Sequence, residues 1–325
     1  MPLETIVVSE ENLYDVLIIG SGPAGLSAAT VCAKAGHKTG FVEKSTPGGK
    51  VVTLKTVNNY PPQNNISGSV LGQNLFNAAL AAGAKYIFGN VINVTTKLGY
   101  IVIQAQNGQT WYCKTCIVAT GTENAKLNVT GENDYFQMGI SYCIDCDKSL
   151  TKNKTVVVIG EQAEAVNGAL TLSTIAKKTY LLYRQQEYNF KGVTVDSLKQ
   201  NGVELLLGCA PNSFSGDSFN LRQLYLYDRN GNYTNINVDF AFIEIGDVPA
   251  TSFFSDKSIL TTDGNIFVNE QKATKILGVF AIGDVIRSNN KSIVNAINDG
   301  EIAANAAIEY IKTEFIKHRG DIKIS

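Results

Sequence analysis

Three segments of the chain repeat one design, in which an apolar strand runs into a glycine-bearing turn and then into a helix. The strands cover Tyr14–Gly20, Thr155–Gly160 and Gly278–Asp284, and the helices that follow them extend to Ala35, Ile175 and Ile311. Continuous apolar strands that alternate with helices are typical of parallel sheets with both faces buried. The pattern therefore predicts an α/β protein built from Rossmann-like, three-layer dinucleotide-binding domains.

The recurrence of this unit near residue 155 predicts two such domains in a chain of 325 residues, since one core seldom grows to that size. Glycine- or proline-bearing crossings lie at Ala119–Glu123 and Gly246–Ala250. We expect the second domain, residues 123–248, to be inserted in a discontinuous first domain made of residues 1–122 and 249–325.

The composition is typical of a folded protein, and it gives no sign of a polyanionic partner. Apolar residues make up 44% and charged residues 18%, and the net charge of −1 offers no footprint for nucleic acid or an anionic membrane. The N-terminus has neither a basic stretch nor a long apolar one, and apolar runs such as Val16–Ile19 are too short to span a bilayer. We therefore expect a cytoplasmic protein, in which a Cys-x-x-Cys pair is catalytic or metal-binding.

The first turn, Gly20-Ser21-Gly22-Pro23-Ala24-Gly25, is a G-x-G-x-x-G that follows a strand and opens a helix. Gly20 permits the tight turn, Gly22 lets the backbone approach a pyrophosphate, and Gly25 allows the helix to pack on the strand. The free N–H groups of the helix N-terminus then face the phosphates. An acidic residue about 20 positions further on binds the ribose in such sites, and Glu43 closes the next strand. Together these residues predict a dinucleotide site.

The chain has six cysteines, and four of them form the pairs Cys113/Cys116 and Cys143/Cys146. Two such pairs suit a zinc site, but the 26 residues between them exceed the usual spacing of about 15–20, and no metal site is expected. Cys113 and Cys116 run into an apolar strand, where residues three apart lie about 10 Å from each other and point to opposite faces. Cys143 and Cys146 lie among turns, and a helical turn brings such residues within bridging distance. Only the second pair is therefore expected to form a disulfide.

Several motifs occur together in one order: GSGPAG, Glu43, TPGGK, NNYP, IVATGTE, GISYCIDCD, and VFAIGDV followed by DGEIAANAA. In these motifs the chain resembles the low-molecular-weight thioredoxin reductases over nearly its whole length. The resemblance implies that the first domain binds FAD through its glycine-rich turn and Glu43. It implies that further residues line the flavin site, near the isoalloxazine ring or along the ribityl and phosphate groups: Gly48, Gly49, Asn59, Gly121, Gly283 and Asp284.

The resemblance also places the redox chemistry on the second cysteine pair. It implies that Cys146 faces the flavin, that Cys143 engages the disulfide of a thioredoxin-like partner, and that Asp147 moves protons. One departure is Asp145 between the cysteines, where a nearby anion disfavours a thiolate. The family is usually homodimeric, and its middle domain rotates between flavin and partner, so both properties are expected here.

The second turn, Gly160-Glu161-Gln162-Ala163-Glu164-Ala165, departs from the GGGDSA-like turn that binds NADPH in the family. Gln162 puts a side chain where the pyrophosphate needs bare backbone, and Glu161 and Glu164 add negative charge. Gln185 replaces one of two arginines that grip the 2′-phosphate. Binding of NADPH or NADH is therefore doubtful. The related ferredoxin-dependent flavin thioredoxin reductases also lack these motifs, which makes a ferredoxin-like protein the alternative electron donor.

Two other functions fit the same motifs. One is a flavin thiol oxidase, which would pass electrons to oxygen, and the other is a catalytically retired flavoprotein that senses redox state. The sequence leaves open the electron donor, the disulfide partner, the oligomeric state and the role of residues 313–325.

Overall fold

The structure is a computed structural model, and it describes residues 6–61, 63, 65–288, 290–318 and 322–324. The helices in these residues are α1 Pro23–Lys34, α2 Gly68–Ala81, α3 Ile144–Asp147, α4 Ala163–Ser173, α5 Val195–Gln200, α6 Ile293–Thr313 and α7 Phe315–His318. The strands are β1 Ile6–Val8, β2 Leu13–Ile19, β3 Thr39–Glu43, β4 Lys85–Phe88, β5 Val91–Lys97, β6 Tyr100–Ala105, β7 Thr110–Val118, β8 Thr122–Asn124, β9 Ile140–Ser141, β10 Thr155–Ile159, β11 Lys178–Tyr183, β12 Val203–Leu207, β13 Ala210–Gly216, β14 Leu221–Tyr227, β15 Tyr233–Asn237, β16 Phe240–Ile243, β17 Asp247–Pro249, β18 Val279–Ala281 and β19 Ile322–Ile324.

The chain divides into two compact units. Unit 1 combines Met1–Glu123 with Pro249–Ser325, and unit 2 is Asn124–Val248. Unit 2 interrupts unit 1 in sequence, so the two pieces of unit 1 meet only in the folded chain.

Unit 1 is built on one mixed sheet with the strand order β4-β3-β2-β7-β6-β5, and β18 also pairs with β7. The central strand β2 pairs in parallel with β3 and β7, which places Leu17 opposite both Gly40 and Cys116. The strands β5, β6 and β7 form an antiparallel meander at one side. The carboxyl ends of β2, β3, β7 and β18 therefore lie along one edge of the sheet, where ligands bind in such folds.

The central strand of unit 1 is apolar because both of its faces are covered. Val16, Leu17 and Ile18 have no exposed surface. Helices α1 and α6 pack closely because small residues line their contact: a Cβ atom built on Gly300 would lie 2.5 Å from the carbonyl oxygen of Ala24. This packing fixes the N-terminal end of α1 beside the edge where the first turn lies.

Unit 2 has a five-stranded parallel sheet with the order β12-β11-β10-β16-β9, accompanied by α4 and α5. Val156–Ile159 of the central strand β10 are fully buried. A separate antiparallel sheet of β13, β14 and β15 packs through Leu224 and Leu226 into the same apolar cluster as Val157. The carboxyl ends of β9, β10, β11 and β16 form the edge at which the second turn and the redox cysteines lie.

The N- and C-terminal strands pair with each other, with β1 parallel to β19 and Ile6 opposite Ile322. Residues 322–324 of the tail therefore belong to a two-stranded sheet. Among the described residues, no helix is long and apolar enough to cross a membrane. The α/β fold with two Rossmann-like units, predicted from the repeated strand–turn–helix pattern, is confirmed.

Candidate functional site

The first turn joins β2 to α1 in a conformation that depends on its outer glycines. Gly20 has a φ of +100°, and a Cβ atom built there would lie 2.4 Å from the carbonyl oxygen of Ala119. A Cβ atom on Gly25 would lie 2.1 Å from the carbonyl oxygen of Gly20. Both positions therefore exclude a side chain because the helix and the neighbouring strand approach the turn too closely.

Gly22 differs from the other two glycines, because its bare backbone faces open space. It caps the N-terminus of α1 with a φ of −69° and a ψ of −179°, which any residue adopts. A Cβ atom built on Gly22 would meet no atom within 4 Å. The fold itself thus leaves this position free, and a pyrophosphate placed against the first amides of α1 explains why no side chain fills it. The turn fits the phosphates of FAD.

Glu43 lies at the end of β3 and is tied to the first turn. Its Oε2 accepts hydrogen bonds from the backbone N–H and the hydroxyl of Ser21, each at 2.9 Å. Its Oε1 accepts one from the N–H of Ser45 at 2.8 Å. A cavity opens beside this carboxylate, and the residues that line it include Gly20, Asn90 and Thr120. The carboxylate and cavity together suit an adenosine ribose.

Three of the other predicted flavin residues contact the first turn. The N–H of Gly48 donates to the carbonyl of Ser21 at 2.9 Å, a Cβ on Gly49 would lie 2.9 Å from the Cα of Gly22, and one on Gly283 would lie 3.0 Å from the Cβ of Ala24.

The remaining predicted flavin residues lie in loops of unit 1. Asn59 is exposed in the loop before α2, and Gly121, with a φ of +63°, follows β7. The carbonyl of Gly121 accepts a hydrogen bond from the N–H of Ala250 at 3.0 Å. Asp284 follows Gly283, and its carbonyl accepts a hydrogen bond from the Lys291 ammonium group at 3.2 Å.

The cysteines Cys143 and Cys146 form a disulfide at α3, with their Cα atoms 5.3 Å apart. Cys143 caps the helix, and its Sγ lies 3.2 Å from the backbone N–H of Cys146, which donates to it. Cys146 is exposed, whereas Cys143 is partly buried. An amide that points at the sulfur stabilises a thiolate, so the same contact would activate Cys143 once the disulfide opens.

Two acidic residues flank the disulfide in different ways. Asp147 accepts a hydrogen bond of 2.6 Å from the hydroxyl of Ser141, and that hydroxyl oxygen accepts one from the N–H of Cys143. Asp145 points outward and forms an ion pair with Lys148. The negative charge of Asp145 is therefore offset by a neighbouring cation, while Asp147 is linked to the cysteine backbone through Ser141.

The other four cysteines are free and buried: Cys32, Cys113, Cys116 and Cys209. Burial raises the pKa of each of these thiols, that of Cys32 to about 12. Cys113 and Cys116 of β7 pack in the same apolar cluster. Within the described residues, no group of histidines, cysteines and carboxylates could hold a metal ion.

The second turn has the backbone of the first but different side chains. Gly160 again lies against a neighbouring strand, since a Cβ there would lie 2.1 Å from the carbonyl oxygen of Glu244. Gln162 caps α4 with a ψ of −179°, as Gly22 caps α1, and its side chain is exposed. The amide side chain therefore stands at the position that is open in unit 1.

Glu161 closes the second turn onto the end of β11. Its Oε1 accepts a hydrogen bond from the backbone N–H of Gln185 at 3.1 Å, and its Oε2 accepts one from the Gln185 side chain at 3.0 Å. The side-chain oxygen of Gln185 accepts a hydrogen bond from the amide group of Asn189, whose own side-chain oxygen accepts one from the Tyr183 hydroxyl. The Glu161 carboxylate thus accepts hydrogen bonds from the N–H groups at the end of β11. A nucleotide ribose or 2′-phosphate bound there would need the same donors.

A further acidic residue, Glu244, follows β16 at the same edge. Burial, together with the carboxylates of Glu164 and Asp247, raises the pKa of Glu244 to about 7, although a hydrogen bond from the N–H of Ile144 lowers it. Glu244 was not among the residues predicted from the sequence, although it stands at the end of an apolar strand before Ile-Gly-Asp. The second turn thus carries a side chain at its helix cap and glutamates around it, where the first turn has bare backbone and neutral residues.

The comparisons with known proteins agree on the family of this chain. The family described as pyridine nucleotide-disulphide oxidoreductase matches residues 14–300. The thioredoxin reductase of Listeria innocua is 32% identical over 308 residues, which cover 94% of this chain and 96% of that protein. The structure of Lactococcus lactis thioredoxin reductase superposes with a TM-score of 0.75 at 29% identity, covering 92% of this chain and 99% of that one.

A ferredoxin-flavin thioredoxin reductase is also among the similar structures. The enzyme from Clostridium acetobutylicum superposes with a TM-score of 0.52 at 27% identity, and the match covers 93% of this chain and 99% of that one. The chain is thus similar both to thioredoxin reductases and to a protein named ferredoxin-flavin thioredoxin reductase.

Proposed function

Because the chain belongs to the pyridine nucleotide-disulphide oxidoreductase family, in its low-molecular-weight thioredoxin reductase branch, we propose that it passes electrons through FAD and the Cys143–Cys146 disulfide to a thioredoxin-like protein. The chain is a flavin-dependent disulfide oxidoreductase of the thioredoxin reductase type. The observation that carries the proposal is the disulfide at α3, because the four other cysteines are free and buried.

FAD, when bound, supplies the two-electron chemistry that reduces the disulfide. We assign its phosphates to the turn Gly20–Gly25, its ribose to Glu43, and its flavin end to the loops of Gly48, Gly49, Asn59, Gly121, Gly283 and Asp284. The open space at Gly22 and the hydrogen bonds between Glu43 and Ser21 support this assignment. The chain's own part is to orient the cofactor and to offer backbone amides to its phosphates.

The redox pair passes its electrons on in two steps. Reduction of the disulfide takes two electrons and two protons and gives two thiols. The Cys143 thiolate then attacks one sulfur of the partner disulfide and forms a mixed disulfide, and the partner's other sulfur leaves as a thiolate. Cys146 attacks Cys143 and releases the partner as a dithiol, which restores the original disulfide. The hydrogen bond from the N–H of Cys146 to Cys143 supports Cys143 as the attacking thiol.

Asp147 is assigned the proton transfers that accompany these steps. Its carboxylate is held by the Ser141 hydroxyl, whose oxygen accepts the N–H of Cys143, so the three groups form one hydrogen-bonded chain. This chain supports a role in moving protons to and from the cysteine pair. The partner is a thioredoxin-like protein, and the enzyme acts as a homodimer, as in the family.

The electron donor is proposed to be a ferredoxin-like protein rather than NADPH or NADH. Gln162 stands at the helix cap where a pyrophosphate requires bare backbone, and Glu161 occupies the donors at the end of β11. The similarity to a ferredoxin-flavin thioredoxin reductase supports the same choice. A one-electron protein donor needs no nucleotide pocket in unit 2.

The proposed function is tested by counting electrons. During anaerobic titration with dithionite, the wild-type flavoprotein should take up two electrons for the flavin and two more for the disulfide. The Cys146→Ser variant should take up only the flavin's two, and Cys113→Ser, which alters a buried free thiol, should match the wild type. The reduced wild type should then reduce a thioredoxin disulfide in stoichiometric amount. A wild type without the second pair of electrons would contradict the proposal.

The roles of the two cysteines are tested by trapping. The Cys146→Ser variant lacks the thiol that would release the partner. It should hold a thioredoxin-like partner in a stable mixed disulfide, because Cys143 attacks the partner and no second thiol then displaces it. Cys143→Ser should not accumulate this species. The opposite pattern would assign the attack to Cys146, which is the more exposed of the two.

A further inference from the structure

Gly283, one of the residues assigned above to the flavin site, is held by a carboxylate from another part of the chain. Its backbone N–H donates a hydrogen bond to Oδ2 of Asp299 at 3.3 Å. The other oxygen of this carboxylate, Oδ1, lies 2.6 Å from the ammonium group of Lys272. Asp299 belongs to α6, and Lys272 lies in the loop before β18. One carboxylate thus joins a cation to the backbone of the turn after β18.

This ion pair is largely removed from water. The side chains of Lys272 and Asp299 are 18% and 15% exposed, whereas those of the surface pair Lys317 and Glu314 are 63% and 45% exposed. Exposed pairs contribute little, but removal of one partner from a shielded pair leaves the other charge uncompensated. The charge of Asp299 therefore depends on Lys272.

The backbone of Lys272 is in a conformation that few side chains adopt. Its φ is +63°, in the left-handed region. Its N–H donates to the carbonyl of Asn269, and its carbonyl accepts the N–H of Ala281, each at 3.0 Å. Glycine would take this position without strain. A lysine there indicates that the side chain has a role, and its ammonium group meets Asp299.

Asp299 and Gly283 both lie against the first turn of α1. A Cβ atom built on Gly300, the residue after Asp299, would be 2.5 Å from the carbonyl oxygen of Ala24, and one built on Gly283 would be 3.0 Å from the Ala24 Cβ. Ala24 is the second residue of α1. The carboxylate is therefore held at the end of α1 to which the phosphates of FAD are assigned.

We propose that Asp299 is a positioning residue of the flavin site, which fixes the backbone of Gly283, and that Lys272 cancels its charge there. This inference rests on the binding of FAD proposed above. The pyrophosphate of FAD is negatively charged, and a carboxylate without a partner would repel it. Asp299 can therefore hold the turn without weakening FAD binding only while Lys272 is paired with it.

The test measures FAD affinity in paired variants. The holoprotein is diluted, and free FAD at equilibrium is measured by its fluorescence. Lys272→Met should raise the dissociation constant of FAD by about tenfold or more, because it leaves Asp299 charged and unpaired. Lys272→Met combined with Asp299→Asn should return to within about threefold of the wild type, because an amide oxygen still accepts the Gly283 N–H and no charge remains. The matched control Lys317→Met, which breaks the exposed pair with Glu314, should leave the dissociation constant unchanged.

A second variant separates this role from a general contribution to stability. Lys272→Gly relieves the left-handed backbone, so in saturating FAD it should melt at a higher temperature than Lys272→Met. Its FAD affinity should nevertheless be as weak as that of Lys272→Met, because the ammonium group is missing from both. If FAD affinity instead follows the melting temperature among these variants, the pair serves only the stability of the loop and the inference is overturned.

Two other results would also overturn the inference. One is wild-type FAD affinity in both single variants of Lys272, and the other is a double variant that binds FAD as weakly as Lys272→Met. A wild-type protein that binds no FAD would contradict the proposed function itself, so the two failures are distinguishable.

Discussion

In unit 1 the turn after β2 carries Ser21, Gly22 and Ala24, whereas in unit 2 the turn after β10 carries Glu161, Gln162 and Glu164 at the same places. The two units also differ at the end of the strand that lies beside each turn. Ala119 follows β7 in unit 1, and Glu244 follows β16 in unit 2. The backbones correspond, because Gly22 and Gln162 cap their helices with the same ψ of −179°.

The difference between the units lies in charge and open space rather than in fold. Three small neutral residues of unit 1 correspond to three glutamates of unit 2. The helix cap is a glycine in unit 1 and carries a glutamine side chain in unit 2. In unit 1 the acid at the strand end, Glu43, reaches back to the turn, while in unit 2 the acid in the turn, Glu161, reaches forward to the strand end. We therefore propose that the same strand–turn–helix fold holds the phosphates of a dinucleotide in unit 1 and excludes them in unit 2.

The largest effect is expected from a side chain at the open cap of unit 1. Gly22→Val should abolish FAD retention, because the Cβ position is empty in the chain but lies where the pyrophosphate belongs. The matched control is Gln162→Val at the equivalent cap of unit 2, which should leave the flavin content unchanged. Flavin content per chain is measured by absorbance after gel filtration. Full flavin content in Gly22→Val would show that this turn does not hold the phosphates.

Rebuilding the second turn should give the next largest effect. Glu161→Gly, Gln162→Gly and Gln185→Arg combined should tighten NADP⁺ binding by about tenfold to hundredfold or more, because a charge-assisted hydrogen bond is worth roughly 1.5–3 kcal/mol. Affinity is measured by equilibrium titration with the oxidised nucleotide, which leaves the flavin oxidised.

The control for this rebuilding keeps Gln185. Glu161→Gly with Gln162→Gly should admit NAD⁺ and NADP⁺ about equally, since the 2′-phosphate then has no new arginine partner. If the wild type already binds NADP⁺ as tightly as the triple variant, the glutamates and Gln162 do not exclude the nucleotide.

A smaller effect concerns the stability of unit 2 as pH changes. Burial raises the pKa of Glu244 to about 7, so the folded form prefers the protonated carboxyl. This preference stabilises the fold at pH values below the unfolded pKa of about 4.3 and is lost as the pH rises through about 7. Glu244→Gln should therefore melt at the wild-type temperature at pH 4.5 and about 2–5 °C higher at pH 8. Equal melting temperatures at both pH values would contradict the buried, raised-pKa carboxyl.

The smallest effect is expected at Asp145. Its charge is exposed and offset by Lys148, and such surface pairs contribute only about 0–1 kcal/mol. In a Cys146→Ser background, Asp145→Asn should therefore change the rate of iodoacetamide alkylation of Cys143 by less than about threefold. A larger change would show that the charge of Asp145 acts directly on the Cys143 thiolate.

Local patterns in the sequence were sufficient for the fold class and for the redox disulfide. Apolar strands such as Val156–Ile159 and glycine turns such as Gly20–Gly25 encode their conformation within a few residues. A Cys-x-x-Cys pair among turns likewise needs only a helical turn to close. These features do not depend on which strands become neighbours.

The contacts that distinguish the two units depend on strand order and were not predictable. Glu161 meets Gln185 only because β10 and β11 are adjacent, and Glu244 lies against Gly160 only because β16 is adjacent to β10.

The most direct test of the difference between the two turns is the rate at which each donor reduces the flavin. Under anaerobic conditions in a stopped-flow instrument, bleaching of the flavin absorbance is followed after mixing with NADPH, NADH or a reduced ferredoxin. We predict slow, incomplete bleaching by both nucleotides, with little preference between them, and fast, complete bleaching by ferredoxin. Rapid and complete reduction by micromolar NADPH, with NADH much slower, would show that the second turn binds the nucleotide and would contradict a ferredoxin-like donor.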